Sequence, residues 1–121
     1  MIDFYFVQFY NQGDTRYDTY DELFIKSTGY FAGTAVKEIA SRGIPLQKIV
    51  VGKPLVPTDA TNTGFVKQAD LGTWTARAYD EIGWFAGAGH WQFKSDLTGK
   101  GIRDATSALV SKCVSGGKCN A

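Results

Sequence analysis

Histidine occurs once in the 121 residues, methionine once, cysteine twice and proline three times. His90 lies far along the chain from Cys113 and Cys119, so no spacing fits a metal-ligand set and no metal site is expected. Neither sign of charge dominates. Thirteen Lys and Arg stand against twelve Asp and Glu, a net charge of +1 spread along the chain, which leaves neither a nucleic-acid footprint nor a polybasic membrane patch. No apolar run approaches the ~20 residues of a membrane span. The opening Met1-Ile2-Asp3-Phe4-Tyr5-Phe6 has no basic leader and no small-residue cleavage site, so it does not read as a signal peptide. It reads as the middle of a strand, which is expected of a piece of a longer domain or of a chain to which Met1 was added.

What is there is globular: 44% hydrophobic and 14% aromatic residues, at a length that suits one small domain burying roughly two-thirds of its unfolded surface. Three strand-like runs alternate with three helix-like runs. Residues 2–10 are nearly continuously apolar, as for a strand buried on both faces. Residues 11–28 are polar and turn-rich. Phe31, Ala32, Ala35, Val36, Ile39 and Ala40 recur at helical spacing, with Lys37, Glu38 and Arg42 opposite and Gly43 as C-cap. Ile49-Val50-Val51 is a short second strand closed by Gly52-Lys53-Pro54, and a long loop to about Val66 follows. Leu71, Trp74, Ala78 and Ile82 mark a second helix ending near Gly83; residues 84–93 form a third strand thinned by Gly87 and Gly89. Ile102, Ala105, Leu109 and Val110 stripe a third helix, and residues 113–121 read as a flexible tail. Cys113 and Cys119 there are open to two readings, a small disulfide loop or two free thiols. Strand then helix, three times, predicts an α/β fold with parallel strands and right-handed crossovers. Helices cover one face, so the other face and both sheet edges need a neighbour.

The segment Phe6-Val7-Gln8-Phe9-Tyr10-Asn11 is an apolar run that ends in three hydrogen-bonding side chains. In parallel α/β folds ligands bind at the carboxyl ends of strands. This segment resembles the sixth barrel strand of glycoside hydrolase family 18 chitinases of the plant and fungal class. Residues 48–54 resemble their seventh strand, Thr63-Gly64-Phe65-Val66 the loop after it, and Phe85-Ala86-Gly87-Ala88-Gly89-His90-Trp91 the eighth strand, which ends in tryptophan. The four stretches come in the family's order and cover about residues 2–110.

The resemblance implies a partial (β/α)8 barrel: the last three strand–helix units, over residues 1–112. It implies action on β-1,4-linked N-acetylglucosamine polymers without a cofactor, and a secreted protein. These retaining enzymes use the substrate's own N-acetyl oxygen as nucleophile, so the acetamide must be held and polarised. Carried over, Tyr10 would donate to the acetamide oxygen, Gln8 and Asn11 would line the same pocket, and Trp91 would floor the central subsite. The family's catalytic acid closes an Asp-x-x-Asp-x-Asp-x-Glu motif that this chain does not contain. Asp14, Asp18, Asp21 and Glu22 have the wrong spacing and read as solvated loop carboxylates. The isolated chain is therefore expected to be inactive.

Plainer roles compete with these. Tyr10 and Trp91 could be core, and Gln8 and Asn11 could bond loop backbone. His90 should point away from Trp91 into the helix layer. Tyr17 and Tyr20 read as loop cover, and Trp74 as core. Lys53, Asp59 and Asn62 lie on the ligand-end loop with nothing to choose among them. At the level of function, a non-catalytic chitin-binding or self-associating module stands beside the chitinase reading, and an unrelated small α/β domain behind both. The bare sheet predicts a homo-oligomer or association with the N-terminal barrel portion.

Overall fold

The computed structural model describes residues 1–117 and 119. Its sheet has three parallel strands in sequential order: β1 (Tyr5–Gln8), β2 (Ile49–Pro54) and β3 (Ala88–Trp91). The chain is thus α/β, with a helix after each strand: α1 (Val36–Ser41), α2 (Gln68–Ile82) and α3 (Gly101–Gly116). Register pairs Phe6 with Val50 and Gln8 with Gly52, then Gly52 with Gly89 and Pro54 with Trp91.

Side chains alternate across a sheet, so this register sorts the strands into two faces. Val7, Ile49, Val51, Lys53, Ala88 and His90 share one face. There Ile49, Val51 and Lys53 are wholly buried beneath the helices, with Phe9 just past the end of β1. Phe6, Gln8, Val50, Gly89 and Trp91 share the other, which none of the described elements covers: Phe6 is 50% exposed and Trp91 53%. Phe6 lies flat across that face, its ring over Gly52 of β2 and Gly89 of β3, where any Cβ would collide with it. The first run is therefore not buried on both faces as its composition suggests. It is an edge strand of four residues, packed on one side only.

The helices depart from the sequence reading in instructive ways. α1 is only six residues long, because Ser27 to Thr34 is tied into turns. The Ser27 hydroxyl accepts the Thr34 N–H (2.8 Å), and Glu38 accepts the N–H groups of Ser27 (2.7 Å) and Ala35 (3.2 Å). Residues 11–28 are polar on average but supply core: Tyr17, Tyr20, Leu23 and Phe24 are all buried, the last two on a π-type turn over Asp21–Ile25. Tyr20 stacks on Phe24 and carries the Arg77 guanidinium over its ring, so neither it nor Tyr17 is free to stack on a ligand.

α2 matches its periodicity and ends at Gly83 in the left-handed conformation that glycine tolerates best. α3 buries Gly101, Ala105 and Leu109, whereas Ile102 and Val110 face solvent. Small residues on both helices bring their backbones together: a Cβ on Gly72 of α2 would strike the Asp104 carbonyl oxygen. The Thr75 hydroxyl sits at that crossing, 2.9 Å from the Gly72 carbonyl and 3.1 Å from that of Ala105. The stretch expected to be flexible from Cys113 is helical to Gly116, and Cys113 is disulfide-bonded to Cys119. The rest of the expected tail, residues 118, 120 and 121, lies outside the described residues.

Candidate functional site

Four sequence-predicted residues converge at the carboxyl ends of the strands. Gln8, Tyr10, Asn11 and Trp91 line one depression of about 300 Å³, joined by Asp59 and Thr61 from the loop after β2. Alternation accounts for half of this convergence, since Gln8 and Tyr10 project to the same side of β1 as Trp91 does of β3. The loop accounts for the other half.

Tyr10 is 7% exposed as a residue; its phenol oxygen makes no hydrogen bond among the described residues and is open to the depression rather than sealed in packing. Burial raises its pKa above the ordinary phenol value, and the negative charge of Asp59 raises it further. The phenol stays protonated at neutral pH, a hydrogen-bond donor without an acceptor.

Trp91 presents its indole to solvent at the rim. The Trp91–Gln92 peptide is cis, and the Trp91 carbonyl accepts the Leu55 N–H at 2.6 Å.

Gln8 and Asn11 are already engaged with backbone. The Gln8 amide donates to the Tyr10 carbonyl (3.3 Å), as does that of Gln12 (3.3 Å). Asn11 has left-handed backbone (φ 59°), and its Oδ1 accepts the N–H groups of Thr61 (2.7 Å) and Asn62 (3.1 Å). The Asn11 N–H donates to the Thr63 carbonyl (2.8 Å), and the Thr63 hydroxyl donates to Gly13 (2.6 Å). Asn11 thus laces two loops together at the edge of the depression.

Lys53 has a different task. It is wholly buried, and its Nζ donates to the carbonyls of Phe9 (2.8 Å), Tyr17 (2.7 Å) and Gly64 (2.9 Å). Burial pulls its pKa down to about 7, opposed by Asp18 and Glu22. Three carbonyls match the three hydrogens of an ammonium, and a neutral amine has only two to give. Lys53 therefore pins three loop segments beneath the site and does not reach the depression. The left-handed backbone of Tyr17 (φ 52°) turns its carbonyl to this ammonium.

Asp59 is the residue that the sequence did not single out. Its Oδ1 accepts the Ser95 hydroxyl (2.9 Å) and the Gln92 side-chain amide (3.3 Å), and its Oδ2 accepts the Gln92 backbone N–H (3.2 Å). Burial alone would raise its pKa, but the bonds from Ser95, Gln92 and Val56 outweigh it and hold the carboxylate below its ordinary value. Pro57-Thr58-Asp59 is a turn signal; the side-chain partners Gln92 and Ser95 lie more than thirty residues away and leave no local trace.

His90 faces the helix layer, as its place beside Trp91 predicts. It borders a separate cavity of about 360 Å³ with Leu55, Phe93, Asp96, Ile102 and Arg103. Neither ring nitrogen has a partner there; burial lowers the imidazole pKa, with Asp96 opposing. The acidic residues of the first loop lie apart from the depression. Asp18 pairs with Arg16 (2.8 Å) and Asp14 accepts the Tyr30 N–H (3.0 Å). Among the described residues no group of three or more His, Cys, Asp or Glu could hold a metal ion, and no helix is long and apolar enough to cross a membrane.

Compared with protein-family models, with curated proteins and with solved structures, the chain matches none.

Proposed function

We propose that this chain supplies the acetamide-binding wall of a chitinase-type sugar site, as the last three strand–helix units of a (β/α)8 barrel. The observation that carries the reading is the meeting of a largely buried tyrosine, whose phenol oxygen makes no hydrogen bond among the described residues and opens to the depression, with an exposed indole at the carboxyl ends of parallel strands. The indole offers an apolar floor for a sugar ring. The phenol offers a protonated donor for an acetamide oxygen, preorganised by burial. Gln8 and Asn11 then act mainly through backbone: Gln8 on the Tyr10 carbonyl, Asn11 on the loop that closes the rim.

In the substrate-assisted reaction the N-acetyl oxygen attacks the anomeric carbon, and the Tyr10 phenol stabilises the charge that develops on the acetamide. Protonation of the leaving oxygen needs a carboxylic acid, and the family's acidic motif does not occur in this sequence. We place that acid on the N-terminal barrel portion, with which this chain would associate, and assign no turnover to the chain alone.

Titration of the full chain with N-acetylglucosamine oligomers tests the reading, by calorimetry and by tryptophan fluorescence with Trp91→Phe as reference. Saturable binding is expected, weakened about tenfold, or ~1.4 kcal/mol, by Tyr10→Phe or Trp91→Ala. Absence of saturable binding by monomer or assembly sinks it. Turnover of soluble oligomers by the chain alone, at the rate of an intact family member, contradicts the division of labour.

A second reading, a non-catalytic chitin-binding module, is favoured by one feature: the depression holds a stacking face and a donor, while Asp59, its one carboxylate, is engaged by Gln92 and Ser95. Binding without turnover, even with an N-terminal barrel portion added, would select it.

A further inference from the structure

We infer that Asp59 is a positioning residue of this depression: by tying the loop after β2 to the residues after Trp91, it sets where the indole stands relative to the Tyr10 phenol. What that alignment is for rests on the sugar-site reading; the alignment itself does not.

Trp91 cannot be oriented by its own side chain. The indole is 53% exposed and makes no hydrogen bond among the described residues, so little packing holds it. Its direction follows from its backbone, which is fastened on both sides to the loop after β2. Before the turn, the Trp91 carbonyl accepts the Leu55 N–H at 2.6 Å. After it, Asp59 receives the Gln92 N–H, the Gln92 amide and the Ser95 hydroxyl.

Asp59 is itself well placed to act as an anchor. It ends the 3-10 turn Pro57–Asp59, and its own N–H is bonded to the Val56 carbonyl at 3.0 Å. An ionised carboxylate accepts all three donors at once, and such charge-assisted bonds are about twice as strong as neutral ones. An amide in its place would turn an NH₂ toward one of those donors. Among the described residues, Tyr10 and Asp59 are also the only titratable ones that line the depression. The carboxylate therefore does two separable things there. It fixes the Trp91 side, and its charge opposes ionisation of the phenol on the β1 side.

Two variants of the full chain separate these effects. Asp59→Asn removes the charge and one acceptor; Ser95→Ala removes one tether and keeps the charge. Three readouts apply: the near-ultraviolet circular dichroism of Trp91, as the difference from Trp91→Phe; phenol ionisation of Tyr10, as the ultraviolet difference from Tyr10→Phe; and affinity for N-acetylglucosamine tetramer. Asp59→Asn is expected to change the Trp91 band, lower the pH at which Tyr10 ionises and weaken binding about tenfold. Ser95→Ala is expected to change the Trp91 band and weaken binding about threefold, with Tyr10 ionisation unmoved. A folded Asp59→Asn protein with an unaltered Trp91 band overturns the inference. Should that variant fail to fold, an unaltered band in Ser95→Ala does the same. If both bands change but the wild-type chain binds no tetramer, the positioning role stands and the sugar-site reading falls.

Discussion

Gly64 stands against the backbone of Tyr10: a Cβ on Gly64 would come 2.6 Å from the Tyr10 Cα and 2.7 Å from its Cβ. Gly64 also has φ +101°, which L side chains adopt only under strain. Its carbonyl accepts from Lys53, so the loop cannot swing away without breaking a buried bond. Gly64→Ala is therefore expected to cost about 2 kcal/mol or more, from strain and overpacking together. The urea midpoint should fall with the slope unchanged, and an N-acetylglucosamine site at Tyr10 should weaken in the surviving fold.

Lys53→Met should be among the most damaging single changes. The methionine would occupy the buried side-chain space with similar volume but leave the Phe9, Tyr17 and Gly64 carbonyls without their shared donor. A buried acceptor stripped of its partner costs ~1–3 kcal/mol, and three are affected. An expected loss of ~3 kcal/mol or more is a large part of a small domain's stability. Chemical denaturation checks it. A loss below ~1 kcal/mol would mean that the three loops are held together by something other than this ammonium.

The order of strands and helices was legible in the sequence because period and punctuation agree. Leu71 and Ala78 repeat on one face of α2, and Gly83 ends it. The convergence of Gln8, Tyr10 and Trp91 was expected from the polar end of the first run and from the resemblance, and strand parity is the physical reason for it. Burial of residues 11–28 was not, because Tyr17, Tyr20, Leu23 and Phe24 are interleaved with charged residues and follow no single period. The face of α3 was legible in part: Ala105 and Leu109 are buried as their stripe predicts, whereas Ile102 and Val110 are exposed. Gly101 is buried beneath the Leu55 side chain, and Ala105 lies where the backbones of α2 and α3 approach closely, so both are small for reasons that carry little hydrophobic signal. Asp59 was hidden for a third reason. Its meaning lies in bonds to Gln92 and Ser95, which a reading of neighbours along the chain cannot see.

The α2–α3 contact yields a third prediction. Gly72→Ala would ordinarily stabilise an exposed helix, by up to ~1 kcal/mol from propensity. Here the added methyl meets the Asp104 backbone carbonyl, which cannot rotate aside as a side chain would. The helices must part, and the Thr75 hydroxyl loses its reach to Ala105. The net effect is expected to be destabilising by ~1–3 kcal/mol, seen as a lower thermal midpoint. A higher midpoint would show that α3 can shift without cost.

His90 gives the fold a component of acid sensitivity. Burial lowers its pKa below the ordinary 6.5, and no acceptor waits for a second proton. Asp96 and Arg103 border the same cavity and Lys53 is its register partner, so only one of the three neighbours favours the imidazolium. Below pH ~6.5 the unfolded chain takes up a proton that the folded chain still refuses. Stability then falls as pH falls through that window, and the contribution is fully present above it. Carboxylates add their own acid dependence at lower pH, so the measurement is a difference. Urea unfolding of wild type and His90→Gln between pH 8 and pH 5 should diverge as the pH drops, the variant losing less. Parallel curves would mean that the imidazole finds a partner when protonated.

The uncovered sheet face makes the last prediction. Parallel sheets are almost always covered on both faces, yet Phe4 and Phe6 are 59% and 50% exposed here, beside an open Trp91. Phe6 already shields Gly52 and Gly89, so its outer surface is what remains wet. We expect the chain to bury this face against a second copy or, if the proposed barrel reading holds, against an N-terminal portion of that barrel. At micromolar concentration, sedimentation should give a species heavier than 13.2 kDa. Phe6→Lys should shift it toward monomer by placing a charge in the contact, at a cost in stability from uncovering the two glycines. Trp91→Phe, which keeps the face apolar, should not. A well-folded wild-type monomer under these conditions would rule out self-association through this face, and mixing with the N-terminal portion would then test the remaining partner.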